Sequence, residues 1–200
     1  MLALRRYDQI VSLGRGCQPA HQIRRLHAEA QAHVFDWIVT PDAGLVQSIA
    51  TDLDGFFARD RLVMGPEDCI VDRVTDARFL HEFPTGEDFD AQYQKHVGRY
   101  EMLAERWRNL LASRQSVLFV RQHAWDADLR ATAIRLRDTI ALKAPHLSFS
   151  LLYLSAAHEE DWREEGIMNS FLRQPEPYVW TGDDAAWEQL LEQALTRSEQ

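Results

Sequence analysis

Apolar residues recur along this chain in two alternating modes: short continuous runs, and spacings of three to four. Tyr7 to Leu13 is a short run that suits a buried strand. Ala20, Ile23 and Leu26 then fall three apart, giving one apolar helical face, with Pro19 suited to its first turn. His33 to Val39, rich in aromatic and β-branched residues, predicts a short strand or extended segment. Thr40 or Asp42 is placed to cap a second helix through Leu45, Ile49 and Leu53, ended by Gly55–Phe56–Phe57. Leu62–Met64, Cys69–Asp72 and Arg78–His81 are short pieces separated by turns, as in a small antiparallel sheet.

The second half repeats the alternation. Phe89, Tyr93, Val97, Tyr100, Leu103, Trp107 and Leu110 keep a helical step throughout, the clearest periodicity in the chain. Ser116 to Arg121 is apolar almost throughout and predicts a central strand buried on both faces. Leu129, Ala133, Leu136 and Ile140 mark another helix, closed by Pro145. Leu147 to Leu154 reads as a third strand, ending in Ser155–His158, and a charged, exposed stretch runs from Glu159 to Glu165. Phe171 to Trp180 is irregular, with Tyr178–Trp180 suited to an edge strand. Thr181–Gly182–Asp183 opens a last helix with Trp187, Leu190, Leu191, Ala194 and Leu195 inward.

Strand and helix in alternation predict a single α/β domain over residues 1–200, a mostly parallel sheet flanked by helices. A small antiparallel insertion is expected around residues 60–82. Right-handed crossovers gather the carboxyl ends of parallel strands on one rim. Cys17, the Arg121–Gln122–His123 segment and the Ser155–His158 segment are all expected there.

Charge and composition narrow the classes. A formal net charge of -9 argues against a general nucleic-acid binder. With two cysteines and no C-x-x-C, neither a disulfide framework nor a structural zinc site is expected, and no metal-ligand spacing stands out. Gly14-x-Gly16 lacks the third glycine of a dinucleotide loop, so no cofactor is expected. No stretch has the length of a signal peptide's apolar region or a membrane span, which makes the cytosol the default location.

Chemistry concentrates around Gly14–Arg15–Gly16–Cys17. The glycines permit a sharp turn with free N–H groups, and Cys17 falls at or just before a helix N-terminus, where the macrodipole favours thiolate. Such a thiol is expected to alkylate below the ordinary value near 8.5. The plainer reading of Cys17 is a small residue packed at a turn. A thiol nucleophile needs a base. Of eight histidines, His33, His81, His123 and His158 remain after surface and helix-end positions are set aside. His81 is held between bulky neighbours, and His123 lies on the rim. Asp36, between Phe35 and Trp37, either orients a histidine or pairs with Arg24, Arg25 or Arg121. Arg121 ends an apolar strand and needs an anion, from the protein or from a substrate. The turn amides of Gly14 and Gly16 are candidate oxyanion donors.

Ser12–Leu13–Gly14-x-x-Cys17-x-x-Ala20, Phe35–Asp36–Trp37 and Phe79-x-His81-x-Phe83 together resemble three blocks of a bacterial family of unknown function, described as candidate papain-like cysteine peptidases. The helix from Phe89 and the Val117–Arg121 strand are similar to its later segments. The resemblance implies Cys17 as nucleophile, His81 as general base and Asp36 as a third member, acting on a peptide or another acyl compound. It also brings Gln18 forward as an oxyanion-side residue. The chain departs from papain-like enzymes in order: Asp36 precedes the histidine, Gln18 follows the cysteine, and the Cys17 helix is expected to follow a central strand. Three readings result. The first is a thiol-dependent hydrolase or acyl-transferring enzyme. The second is a non-catalytic module that binds an anionic small molecule or glycan precursor through Arg121. The third is an interaction protein with exposed tryptophans.

Overall fold

The computed structural model describes residues 7–123, 128–155 and 162–196. In chain order the elements are β1 (Gln9–Ser12), α1 (Gln18–Leu26), α2 (Asp42–Ala50), β2 (Leu62–Met64), β3 (Ile70–Asp72), β4 (Arg78–Phe79), α3 (Phe89–Leu111), β5 (Ser116–His123), α4 (Leu129–Lys143), β6 (Ser148–Ser155), β7 (Ile167–Phe171) and α5 (Asp184–Thr196). Strands β1, β5, β6 and β7 form a parallel sheet in the order β1-β5-β6-β7. Strands β2, β3 and β4 form a small antiparallel sheet. This is the expected α/β architecture, with the antiparallel insertion in the expected place. No helix among the described residues is long and apolar enough to cross a membrane.

Period-two alternation along β5 divides the interior in two. Val117 and Phe119 face the larger cluster, built with Trp107 of α3, Ile49 of α2 and Ile140 of α4. Leu118 and Val120 face the smaller one, built with Ile23 of α1 and Trp187 and Leu191 of α5. Helix α1 therefore leaves β1 on one face, and α4 leaves β5 on the other. Loops that part in this way at neighbouring carboxyl ends open a crevice, where open α/β sheets bind ligands.

Several local expectations change. Strand β1 lies at the sheet edge and not at its centre, because its backbone pairs with β5 alone. Residues 33–39 form turns with one bridge, Val39 to Arg78, and no strand. Val34, Phe35 and Asp36 are buried consecutively, which a pleated segment with one wet face does not allow. Pro41 takes the cap position of α2 in place of Thr40 or Asp42. The edge strand opposite β1 is β7 and not Tyr178–Trp180; with Asn169 and Ser170 inside it, β7 lacks the apolar run that marks the other strands. Of the Ser155–His158 rim segment, only Ser155 falls among the described residues.

Arg121 fixes the relative position of these parts. Its side chain is fully buried, and all five guanidinium N–H donors are taken. Nε and Nη2 donate to Asp42 Oδ1 at 2.9 and 2.7 Å, Nη1 to Leu13 O and Thr40 Oγ1 at 2.9 and 3.2 Å, and Nη2 to Thr40 O at 2.7 Å. One cation thus ties the end of β1, the entry to α2 and the end of β5. His123 Nδ1 lies 2.6 Å from Asp42 Oδ2. Burial alone would raise the Asp42 carboxyl. The His123 hydrogen bond and the Arg121 charge outweigh it and bring the pKa down to about 2.

Asp42→Asn leaves a buried guanidinium without its counter-ion and is expected to cost about 3–5 kcal/mol, read as a lower urea midpoint. Because the folded pKa lies below the unfolded value near 3.9, Asp42's contribution is complete above about pH 4 and lost as pH falls through about 2. The variant should therefore show a shallower loss of stability in that interval than the parent protein.

Candidate active site

Gly14 has φ +70°, and a Cβ there would lie 2.5 Å from Phe35 O, so only glycine lets the 33–36 turn press against the end of β1. The Gly14 N–H donates to Ser12 Oγ at 3.0 Å. Arg15 continues the bend with φ 87°. Cys17 then occupies the cap position of α1, and its carbonyl accepts the His21 N–H at 3.0 Å. The expected turn is present, and it sets the half-buried thiol at a helix N-terminus.

His81 arrives from the antiparallel insertion. Two aromatic anchors flank it. Phe79 meets the stacked Phe57 and Tyr100 rings edge-on, with centroids 4.9 and 5.5 Å away. Phe83 stacks on Phe89 at 4.9 Å. Between the anchors, Leu80 and His81 point outward while Glu82 is buried. Glu82 Oε1 accepts the Tyr100 hydroxyl at 2.8 Å, and Oε2 accepts the His81 backbone N–H at 3.3 Å. The result is a Cys17 Sγ to His81 Nε2 distance of 3.3 Å across 64 positions of sequence. Glu82 and Tyr100 were not singled out by pattern. The adjacency of an acid to His81, and a tyrosine on the inward stripe of α3, were the available signals.

The thiol is not poised as a thiolate. Burial pushes the Cys17 pKa above its ordinary value, and the Glu82 carboxylate pushes it the same way. Both causes run against the expectation of a lowered thiol pKa. A thiol shifted in this direction depends on a base if it is to act as a nucleophile.

The other candidate residues fall elsewhere. Asp36 does not orient His81: it is paired with Arg24 and accepts the His33 N–H at 2.9 Å. Its burial outweighs these partners and raises its pKa to about 6. His33 is pushed down to about 4, chiefly by burial. Arg121 offers no donor to a substrate, since all five are engaged, and this removes the anchor of the binding-module reading. His123 is buried against Asp42, with its Nδ1 3.0 Å from the Tyr153 hydroxyl, and is not beside the thiol. The side chain of Gln18 is spent on Gln174, the Trp180 carbonyl and Gln122, so it is not an oxyanion donor. The Gly14 N–H is likewise committed to Ser12. Gly16 borders open space. His158 lies outside the described residues, and among those described no group of three or more His, Cys, Asp or Glu is arranged to hold a metal.

Iodoacetamide labelling of Cys17 should rise with pH through a value above that of an ordinary thiol, with no plateau at acidic pH. Glu82→Gln removes one of the two causes and should shift that profile to lower pH. An unshifted profile would show that the carboxylate does not act on the sulfur. Asp36→Asn, remote in bonding from the pair, should leave the profile where it is.

No protein with a curated description matches this chain, and no solved structure matches it. One family profile does, over residues 8–159, a span that holds Cys17, His81, Glu82 and the whole of β5. The chain belongs to the family described as putative papain-like cysteine peptidase (DUF1796).

Proposed function

We propose that the protein is a thiol-dependent hydrolase of acyl compounds, with Cys17 as nucleophile and His81 as general base. The observation that carries this reading is the 3.3 Å approach of Cys17 Sγ to His81 Nε2 at the start of α1. With the ring proton on Nδ1, Nε2 accepts the thiol proton as Sγ forms its bond to the substrate carbonyl carbon. The carbonyl electron pair moves to oxygen. The Gly16 and Cys17 N–H groups, free of acceptors among the described residues, are the donors for that oxyanion. Collapse expels the leaving group, which takes the proton from Nε2 and leaves an acyl thioester on Cys17. Water then gives its proton to His81 and attacks the thioester, releasing the acid and restoring the thiol. Asp36, Arg121, His123 and the Gln18 side chain act in the scaffold around this chemistry.

Release of p-nitrophenol from p-nitrophenyl acetate tests the reading. Cys17→Ser should abolish protein-dependent release, and His81→Ala should slow it about 10²–10⁴-fold. Equal rates in the parent protein and both variants would overturn it.

A further inference from the structure

The chain between Leu172 and Gly182 has no regular structure, yet its backbone is held firmly beside α1. Two buried glutamines hold it. Gln18 Nε2 donates to Trp180 O and to Gln174 Oε1, each at 3.1 Å. Gln22 Nε2 donates to Thr181 O at 2.6 Å and to Asp184 Oδ1 at 2.7 Å. Gly182, at φ +80°, closes the clamp: a Cβ there would sit 2.8 Å from the Gln18 amide. Buried amides are thus committed to fixing a segment whose own large side chains stay in solvent. Tyr178 is 70% exposed, Val179 44% and Trp180 51%.

This apolar lip packs against the first turns of α1, the helix that carries Cys17 at its cap. The Trp180 ring meets His21 edge-on with centroids 5.0 Å apart, and the His21 N–H is bonded to the Cys17 carbonyl, one turn along the helix. Leu80, 47% exposed, immediately precedes His81. The area of the lip argues for a small occupant. Three partly exposed side chains of this size offer on the order of a few hundred Å². A stable protein partner needs about 800 Å² from each side. A backbone locked in advance also binds a small group without the entropy of ordering a loop.

We propose that the Tyr178–Trp180 lip is a substrate subsite that receives an aromatic or large apolar group adjoining the carbonyl attacked by Cys17. The assignment rests on the thiol reading of the site and gives it a substrate class.

The test compares alkylation of Cys17 by iodoacetamide and by its N-phenyl analogue, each normalised to the rate with glutathione. The aromatic reagent should be preferred about tenfold, the effect of burying part of one ring. Trp180→Ala and Tyr178→Ala, both at exposed positions, should each reduce that preference several-fold, with thermal unfolding followed by circular dichroism to confirm folding. A preference equal to that of glutathione overturns the proposal, as does one unchanged in both variants. A dimer in sedimentation that Trp180→Ala dissolves overturns it as well, by assigning the lip to a second copy of the chain. Failure of the thiol reading is seen separately, as equal iodoacetamide rates in the parent protein and His81→Ala.

Discussion

A buried guanidinium with no spare donor is the constraint on which this structure turns. Arg121 sits at the carboxyl end of the central strand, where a cation in the interior is tolerable only if every N–H finds an acceptor. Its acceptors come from Leu13 at the end of β1 and from Thr40 and Asp42 at the entry to α2, two places far apart in sequence. Satisfying one charge therefore fixes where β1 stops and where α2 begins. The Gly14–Cys17 bend follows directly from Leu13, so the thiol inherits its position from a residue that never touches it. Asp42, held ionised by Arg121 and His123, completes the arrangement from the helix side.

The three sequence blocks serve one assembly. The missing Cβ at Gly14 leaves room for the Phe35 carbonyl, and Asp36 then ties the same turn to Arg24 of α1. Phe79 and Phe83 bury their rings on either side of His81, which leaves the imidazole as the outward part of an otherwise inward strand end. Glu82 has a double part: it steadies the His81 backbone and discourages ionisation of the sulfur. Burial and Glu82 both favour the protonated form of the sulfur. That differs from cysteine sites in which a cationic neighbour holds the thiolate in advance.

Much of this was legible in the chain. The helical step from Phe89 to Leu110, the apolar run of β5 and the glycine bend before Cys17 each have a local physical cause, and each stands as read. The pairing of Cys17 with His81 came from the spaced blocks and not from periodicity. What misled was partner choice. Asp36 and Arg121 are charges that need partners, His123 follows from the rim geometry and Gln18 from the family resemblance, and all four are buried. Sequence does not say whether such a group is satisfied by the protein or by a ligand, and in all four cases the protein supplies the partner. Strand β7 escaped because two polar residues interrupt it, and the Tyr178–Trp180 segment resembled a strand because exposed apolar side chains look the same on paper as buried ones.

The central claim is that Cys17 is acylated with help from His81. Peptide mass mapping after brief exposure to p-nitrophenyl acetate at neutral pH tests it most directly. One acetyl group is predicted on the peptide containing Cys17 and none on that containing Cys69, whose buried thiol is bonded to the Pro66 carbonyl. Cys17 left unmodified, or acetylated equally fast when His81 is alanine, would contradict the account.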